Sequence, residues 1–210
     1  MVQVIPAVLA KTPEEFAGKI AFVLPYCQRI QIDIMDGAFV PNMTVGESEK
    51  VKAGKLVVLE YHLMVKDPVN YIEKIGNKNA VYIFHVEAVK DPSRIIEYCK
   101  SRGLKVGIAL NPDTNASEIE PYAASVCMAL FMTVVPGFSG QKYIKTVESK
   151  IMEFRAKHPH LDIEVDGGVG LENIRGAARA GANLLACASA IFGQQDAKAA
   201  MEDLRKAATS

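Results

Sequence analysis

The stretch QIDIMDGAFVPN, Gln31 to Asn42, alternates and then stops. Side chains alternate along a strand, so Ile30, Ile32 and Ile34 share one face while Gln31 and Asp33 share the other. The run ends in Asp36, Gly37 and Pro41, which read as turn punctuation. A buried strand that aims an amide and a carboxylate at the same interior needs a polar centre to receive them.

The rest of the chain supplies seven similar runs. Strand candidates are VQVIPAVL, RIQIDIM, KLVVLEYHLM, AVYIFHVEA, KVGIALN, VCMALFMTV, LDIEVDG and ANLLACA. Amphipathic segments lie between them. TPEEFAGKIAFVL opens on a Thr12 cap followed by proline, and DPVNYIEKI, DPSRIIEYCKSRG and NASEIEPYA follow similar logic, each opening on a capping residue. KYIKTVESKIMEFRAKH and LENIRGAARAGA carry the clearest helical period, and AKAAMEDLRKAA closes the chain. GESEKVKAG is the weakest of the helix candidates. Strands alternating with helices eight times predict a (β/α)₈ barrel in one domain over residues 1–210. A doubly wound open sheet is the competitor, but no GxGxxG follows the first strand.

Composition narrows the class. The 210 residues carry 24 basic and 24 acidic side chains, with no net charge. That balance leaves no electrostatic footprint for nucleic acid or an anionic membrane. Half the residues are apolar, enough for a large core. No apolar run approaches the ~18 residues of a membrane span, and the start lacks a signal-peptide pattern. Cys27, Cys99, Cys127 and Cys187 form no CxxC and read as free thiols of a reducing compartment. A soluble cytoplasmic protein is expected.

In a barrel, polar residues at the carboxyl ends of strands converge on one mouth. Strand 2 sends Gln31, Asp33 and Asp36 there, strand 3 His62, strand 4 His85 and Glu87, and strand 5 Asn111. PGFSGQ, residues 136–141, follows strand 6. Asp166, Gly167 and Gly168 follow strand 7, and Ala188 and Ser189 follow strand 8. Gly137, Ser139 and Gly140 before a long helix, Gly167 and Gly168, and Ser189 at the start of the last helix suit an anion, because backbone N–H groups can face it. As single turns they are equally ordinary punctuation. Asp33 and Asp166, three strands apart around the barrel, can face each other across the mouth. Opposed carboxylates suit removal of a carbon-bound proton from one face and its return to the other. So weak a base needs an electropositive partner such as a metal ion. His62 is then a ligand or, alone, a core histidine. His158 and His160 read as exposed loop residues.

These blocks resemble ribulose-phosphate 3-epimerases over nearly the whole chain: IDIMDGAFVPNMTVG, YHLMVKDP, FHVEA, GIALNPDT, MTVVPGFSGQKYI, IEVDGGV and ASAIF, in this order. The resemblance implies a (β/α)₈ barrel that interconverts D-ribulose 5-phosphate and D-xylulose 5-phosphate through an ene-diolate. It implies Asp33 and Asp166 as acid/base pair and metal ligands, and His62 as a metal and substrate-site residue. Gly137, Phe138, Ser139, Gly140, Gly167, Gly168, Ala188 and Ser189 would bind phosphate. Met35, Met64 and Met132 would form the pocket floor, a reading compatible with core methionines. A divalent cation (Fe, Zn, Mn or Co), a sugar-phosphate ligand and a homo-oligomer complete the expectation.

The chain departs from that pattern. Gln31 stands where the family has a ligand histidine, and Ala7 where it has a substrate-contacting serine. Val135 replaces an asparagine and Ala188 a glycine. An amide oxygen is a weaker, harder ligand than imidazole. Gln31 is therefore a fourth ligand, a donor to substrate or carboxylate, or a structural hydrogen-bonder. Three functions remain open: the epimerase with a modified metal shell, an epimerase for another ketose phosphate, and a sugar-phosphate-binding protein without turnover.

Overall fold

The computed structural model describes residues 2–47, 51, 57–138 and 140–210. Its strands are β1 Gln3–Val8, β2 Arg29–Met35, β3 Val58–Met64, β4 Val81–His85, β5 Lys105–Leu110, β6 Met128–Met132, β7 Asp162–Asp166 and β8 Leu184–Cys187. They pair in parallel, in sequence order, and β1 closes on β8. An open doubly wound sheet has no such closing pair, so the barrel expectation holds.

The helices are α1 Pro13–Val23, α2 Pro68–Ile75, α3 Pro92–Ser101, α4 Val147–Lys157, α5 Ile174–Ala180, α6 Ser189–Phe192 and α7 Ala197–Thr209. Local chemistry starts most of the long ones. Thr12, Asp67, Asp91 and Asp196 each accept a hydrogen bond from a first-turn backbone N–H. In three of them a proline follows the cap, where its missing N–H costs nothing.

Alternation along the strands sorts the core into two layers. Ile30, Ile32 and Ile34 pack outward with α1 and α7 residues such as Phe16, Met201 and Leu204. Ile5, Ile83, Leu130 and Leu184 fill the barrel interior. Three of the four unpaired cysteines are buried, and Cys127 is exposed.

Several expected helices are shorter than their sequence period. Residues 115–123 form two 3₁₀ turns, Ala116–Glu118 and Glu120–Tyr122, in place of a helix. Pro121 has no N–H to give and crowds the preceding turn, which breaks the α pattern there. Helix α4 starts at Val147, because the N–H of Ile144 is bound to the Thr133 carbonyl at 2.7 Å and ties the leading segment to β6. Helix α5 starts at Ile174, after Asn173 bonds back to Gly168 and Gly170. Ser189 opens α6, four residues long; the last helix, α7, starts from its own Asp196 cap. His158 is half-buried against Phe154, ring centroids 4.4 Å apart, while His160 is exposed. The candidate helix GESEKVKAG falls largely outside the described residues.

Beneath the mouth the interior is charged. Glu60 and Glu164 are fully buried, and Arg29 pairs with Glu60. Burial pushes the Glu60 carboxyl up to about 7 against the pull of Arg29. Removing one partner of a buried pair leaves the other uncompensated. Arg29→Met is expected to lower unfolding stability by about 3 kcal/mol, read from urea denaturation. A change under about 0.5 kcal/mol would mean that the pair contributes nothing net.

Candidate active site

Register places the polar side chains in one layer. Asp33 on β2 lies beside His62 on β3, and Met132 on β6 beside Asp166 on β7. The outcome is a compact cluster at the mouth. His62 Nδ1 lies 3.1 Å from Asp33 Oδ1 and 3.2 Å from Asp166 Oδ2. Gln31 Nε2 donates to the same two oxygens, at 2.8 and 2.7 Å. Two nitrogens thus bridge two carboxylates drawn from strands three apart.

The electrostatics follow from that packing. Burial raises the Asp33 pKa, and the neighbouring Asp166 charge raises it further, against hydrogen bonds from His62 and Gln31. Burial alone would lower the His62 pKa. Hydrogen bonds to Asp166 and Asp33, with their charges, outweigh it and hold the imidazole up at about 9. Behind His62 the chain of contacts continues. His62 Nε2 is 2.8 Å from His85 Nε2, and His85 Nδ1 is 3.3 Å from Glu87 Oε2. Burial keeps the His85 pKa below its ordinary value. Glu87 also accepts from the Asn111 backbone N–H at 2.7 Å and from Thr114. Despite burial, hydrogen bonds from His85, Asn111 and Thr114 hold its carboxyl below the usual range.

Above the cluster lies a pocket. Asp33 and Asp166 reach it, and Met35, Met64 and Met132 line it while each stays nearly buried, so pocket floor and core are one role here. Gly137, Phe138, Gly140, Gly167, Gly168, Ala188 and Ser189 form its rim. Ser139 lies outside the described residues. Gly167 and Gly168 both take positive φ, and close contacts make glycine necessary. A Cβ on Gly167 would meet Val134 at 2.4 Å, and one on Gly168 the Gln141 carbonyl at 2.6 Å.

Other residues differ from expectation in detail. Ala7 is buried beside Gln31 and does not line the pocket; Leu9, two residues further on, does. Gln141 holds the β6 loop by donating to the carbonyls of Val135 and Phe138 at 2.6 and 2.9 Å. His85 and Glu87, visible in sequence as strand-end polar residues, join the cluster through His62. Their advance signals were that position and the FHVEA block.

Comparison with known proteins agrees with the geometry. The model of the ribulose-phosphate 3 epimerase family matches residues 3–192. The chain belongs to the ribulose-phosphate 3-epimerase family. It is 41% identical over 184 residues to the ribulose-phosphate 3-epimerase of Bacillus subtilis, covering 84% of this chain and 85% of the relative. It is 42% identical over 183 residues to that of Methanocaldococcus jannaschii, covering 84% and 78%. A relative from Oryza sativa, named a cytoplasmic isoform, is 39% identical over 184 residues, covering 84% and 81%. Among solved structures, 3-hexulose-6-phosphate synthase from Salmonella typhimurium superposes with a TM-score of 0.67 at 14% identity, over 99% of each chain. Orotidine 5'-monophosphate decarboxylase from Sulfolobus solfataricus gives 0.67 at 11%, over 100% and 98%. Those two likenesses speak to the barrel alone.

The residues present suit a divalent cation of the kind this epimerase family uses. Ligand atoms of Asp33, His62 and Asp166 all lie within 4.8 Å of one another. Gln31 adds a further donor: its Oε1 is buried with no hydrogen-bond partner among the described residues, while its Nε2 faces the carboxylates. An amide turned over would present that oxygen to the carboxylates, an orientation tolerable beside a cation and repulsive without one.

Proposed function

We propose that this chain is a ribulose-phosphate 3-epimerase that interconverts D-ribulose 5-phosphate and D-xylulose 5-phosphate. One observation carries the reading: two carboxylates from β2 and β7 converge on one buried histidine directly below a glycine-rimmed pocket. Asp33 takes or returns the C3 proton on one face of the sugar and Asp166 on the other. Asp33, His62 and Asp166, with Gln31 as a fourth donor, would hold a divalent metal. When bound, a divalent cation stabilises the negative charge that builds on the enediolate oxygens.

Gly137, Gly140, Gly167, Gly168, Ala188 and Ser189 surround the phosphate, where bare backbone allows close approach. Met35, Met64 and Met132 keep water from the reacting carbon, and Gln141 keeps the β6 loop in shape over it. A homo-oligomer and a cytoplasmic location belong to the same reading. No helix among the described residues is long and apolar enough to cross a membrane.

The test is C3 hydrogen exchange of D-ribulose 5-phosphate in D₂O, followed by NMR. Metal-stripped protein is compared with protein given Mn²⁺, Fe²⁺ or Zn²⁺. Metal-dependent exchange with formation of D-xylulose 5-phosphate is expected. Absence of exchange under every condition would leave a sugar-phosphate-binding protein without this reaction.

A further inference from the structure

Two imidazole nitrogens 2.8 Å apart must share one hydrogen: two lone pairs, or two N–H groups, would repel at that distance. Which ring carries it is set from outside the pair. Glu87, an ionised carboxylate, only accepts hydrogen bonds. Its Oε1 takes the Asn111 backbone N–H and the Thr114 hydroxyl, and its Oε2 faces His85 Nδ1. So His85 carries hydrogen on Nδ1 and presents a bare Nε2 to His62. His62 in turn must carry hydrogen on Nε2. The Phe39 ring, centroid 5.0 Å from that of His85, packs against the relay.

We propose that Glu87, through His85, keeps the hydrogen on His62 Nε2, so that the Nδ1 hydrogen, which faces Asp33 and Asp166 in the metal-free protein, is the one a cation would displace. Glu87 and His85 are positioning residues. They sit outside the ligand set and decide which nitrogen of His62 enters it, as outer partners of ligand histidines do. The proposal rests on His62 being a metal ligand, but the hydrogen-bond direction stands independently of any metal.

Glu87→Gln is the discriminating variant because it keeps the shape and reverses the polarity. The glutamine oxygen is held by its two donors, Asn111 and Thr114, so its NH₂ turns to His85. His85 must then accept at Nδ1 and donate from Nε2. His62 becomes bare at Nε2 and protonated at Nδ1, the wrong tautomer for a ligand at that position.

The experiment is long-range ¹H–¹⁵N NMR of the histidine rings in metal-free protein, with His158→Gln and His160→Gln present so that two rings remain. Wild-type Glu87 is expected to give His85 protonated at Nδ1 and bare at Nε2, and E87Q the reverse. Mn²⁺ affinity by titration calorimetry is expected to fall about 10- to 100-fold in E87Q. Thr114→Val, which removes a loop anchor and leaves the carboxylate, is expected to change neither readout. A wild-type His85 protonated at Nε2, or unchanged tautomers in E87Q, overturns the proposal; the wild-type spectrum suffices if E87Q does not fold. Equal metal loss in T114V and E87Q also overturns it, by assigning Glu87 to loop anchoring. Failure of wild-type protein to bind Mn²⁺, Zn²⁺ or Fe²⁺ with the expected tautomers intact overturns the metal reading and leaves the relay standing.

Discussion

Asp33→Asn is expected to slow net epimerisation by about 10²- to 10⁴-fold, and Asp166→Asn by a similar factor, the range removed with a general acid or base. The two variants should also differ from each other. Each keeps one carboxylate, and that group reaches one face of the sugar. D33N should therefore exchange the C3 hydrogen of one pentulose 5-phosphate epimer with solvent deuterium, and D166N that of the other. Asparagine matches aspartate in shape and still offers an oxygen to Gln31 Nε2, so the fold should persist. Substrate binding by calorimetry should stay largely intact, because the glycine rim offers backbone groups that a side-chain change at Asp33 or Asp166 leaves in place. Substantial epimerisation in either variant would remove the acid/base assignment. Exchange of the same epimer in both would remove the two-faced geometry.

Gln31→His is expected to tighten Zn²⁺ binding by about 10- to 100-fold. In the metal-free protein Gln31 Nε2 donates to Asp33 and Asp166 at 2.8 and 2.7 Å. A cation must displace those bonds, and a hydrogen bond to a charged group contributes about 1.5–3 kcal/mol. An imidazole at position 31 gives up fewer of them and offers a better nitrogen ligand. A difference near one such bond converts to the stated factor at about 1.4 kcal/mol per tenfold. The gain should be smaller for Mn²⁺, a harder ion that discriminates less against an amide oxygen. Competition with a chelator measures both metals in both proteins. Equal Zn²⁺ affinity in wild type and Q31H would place residue 31 outside the metal shell.

Much of the architecture was legible along the chain because its causes are local. Alternation in RIQIDIM sets two faces whatever the rest of the molecule does, and Asp-Pro and Thr-Pro pairs start helices from within one turn. Helix lengths were less legible, since Ile144 and Asn173 bond to distant or folded-back carbonyls that no period reveals. Pro121 was an available signal, and it outweighed the cap at Asn115.

At the site, the residue types and their strand-end positions came from sequence by itself: Asp33, His62 and Asp166, with Gln31 as the departure and glycines at the turns. Tertiary structure alone decided what Gln31 does with its amide. That answer depends on Asp166, 135 positions away, closing to hydrogen-bond distance across the mouth. It also decided that Leu9, and not Ala7, borders the pocket, and that Glu87 reaches His62 through His85. Hydrogen bonds are directional and act over about 3 Å. A pattern along one strand therefore fixes which side chains enter the barrel, and only closure of the barrel fixes which of them meet.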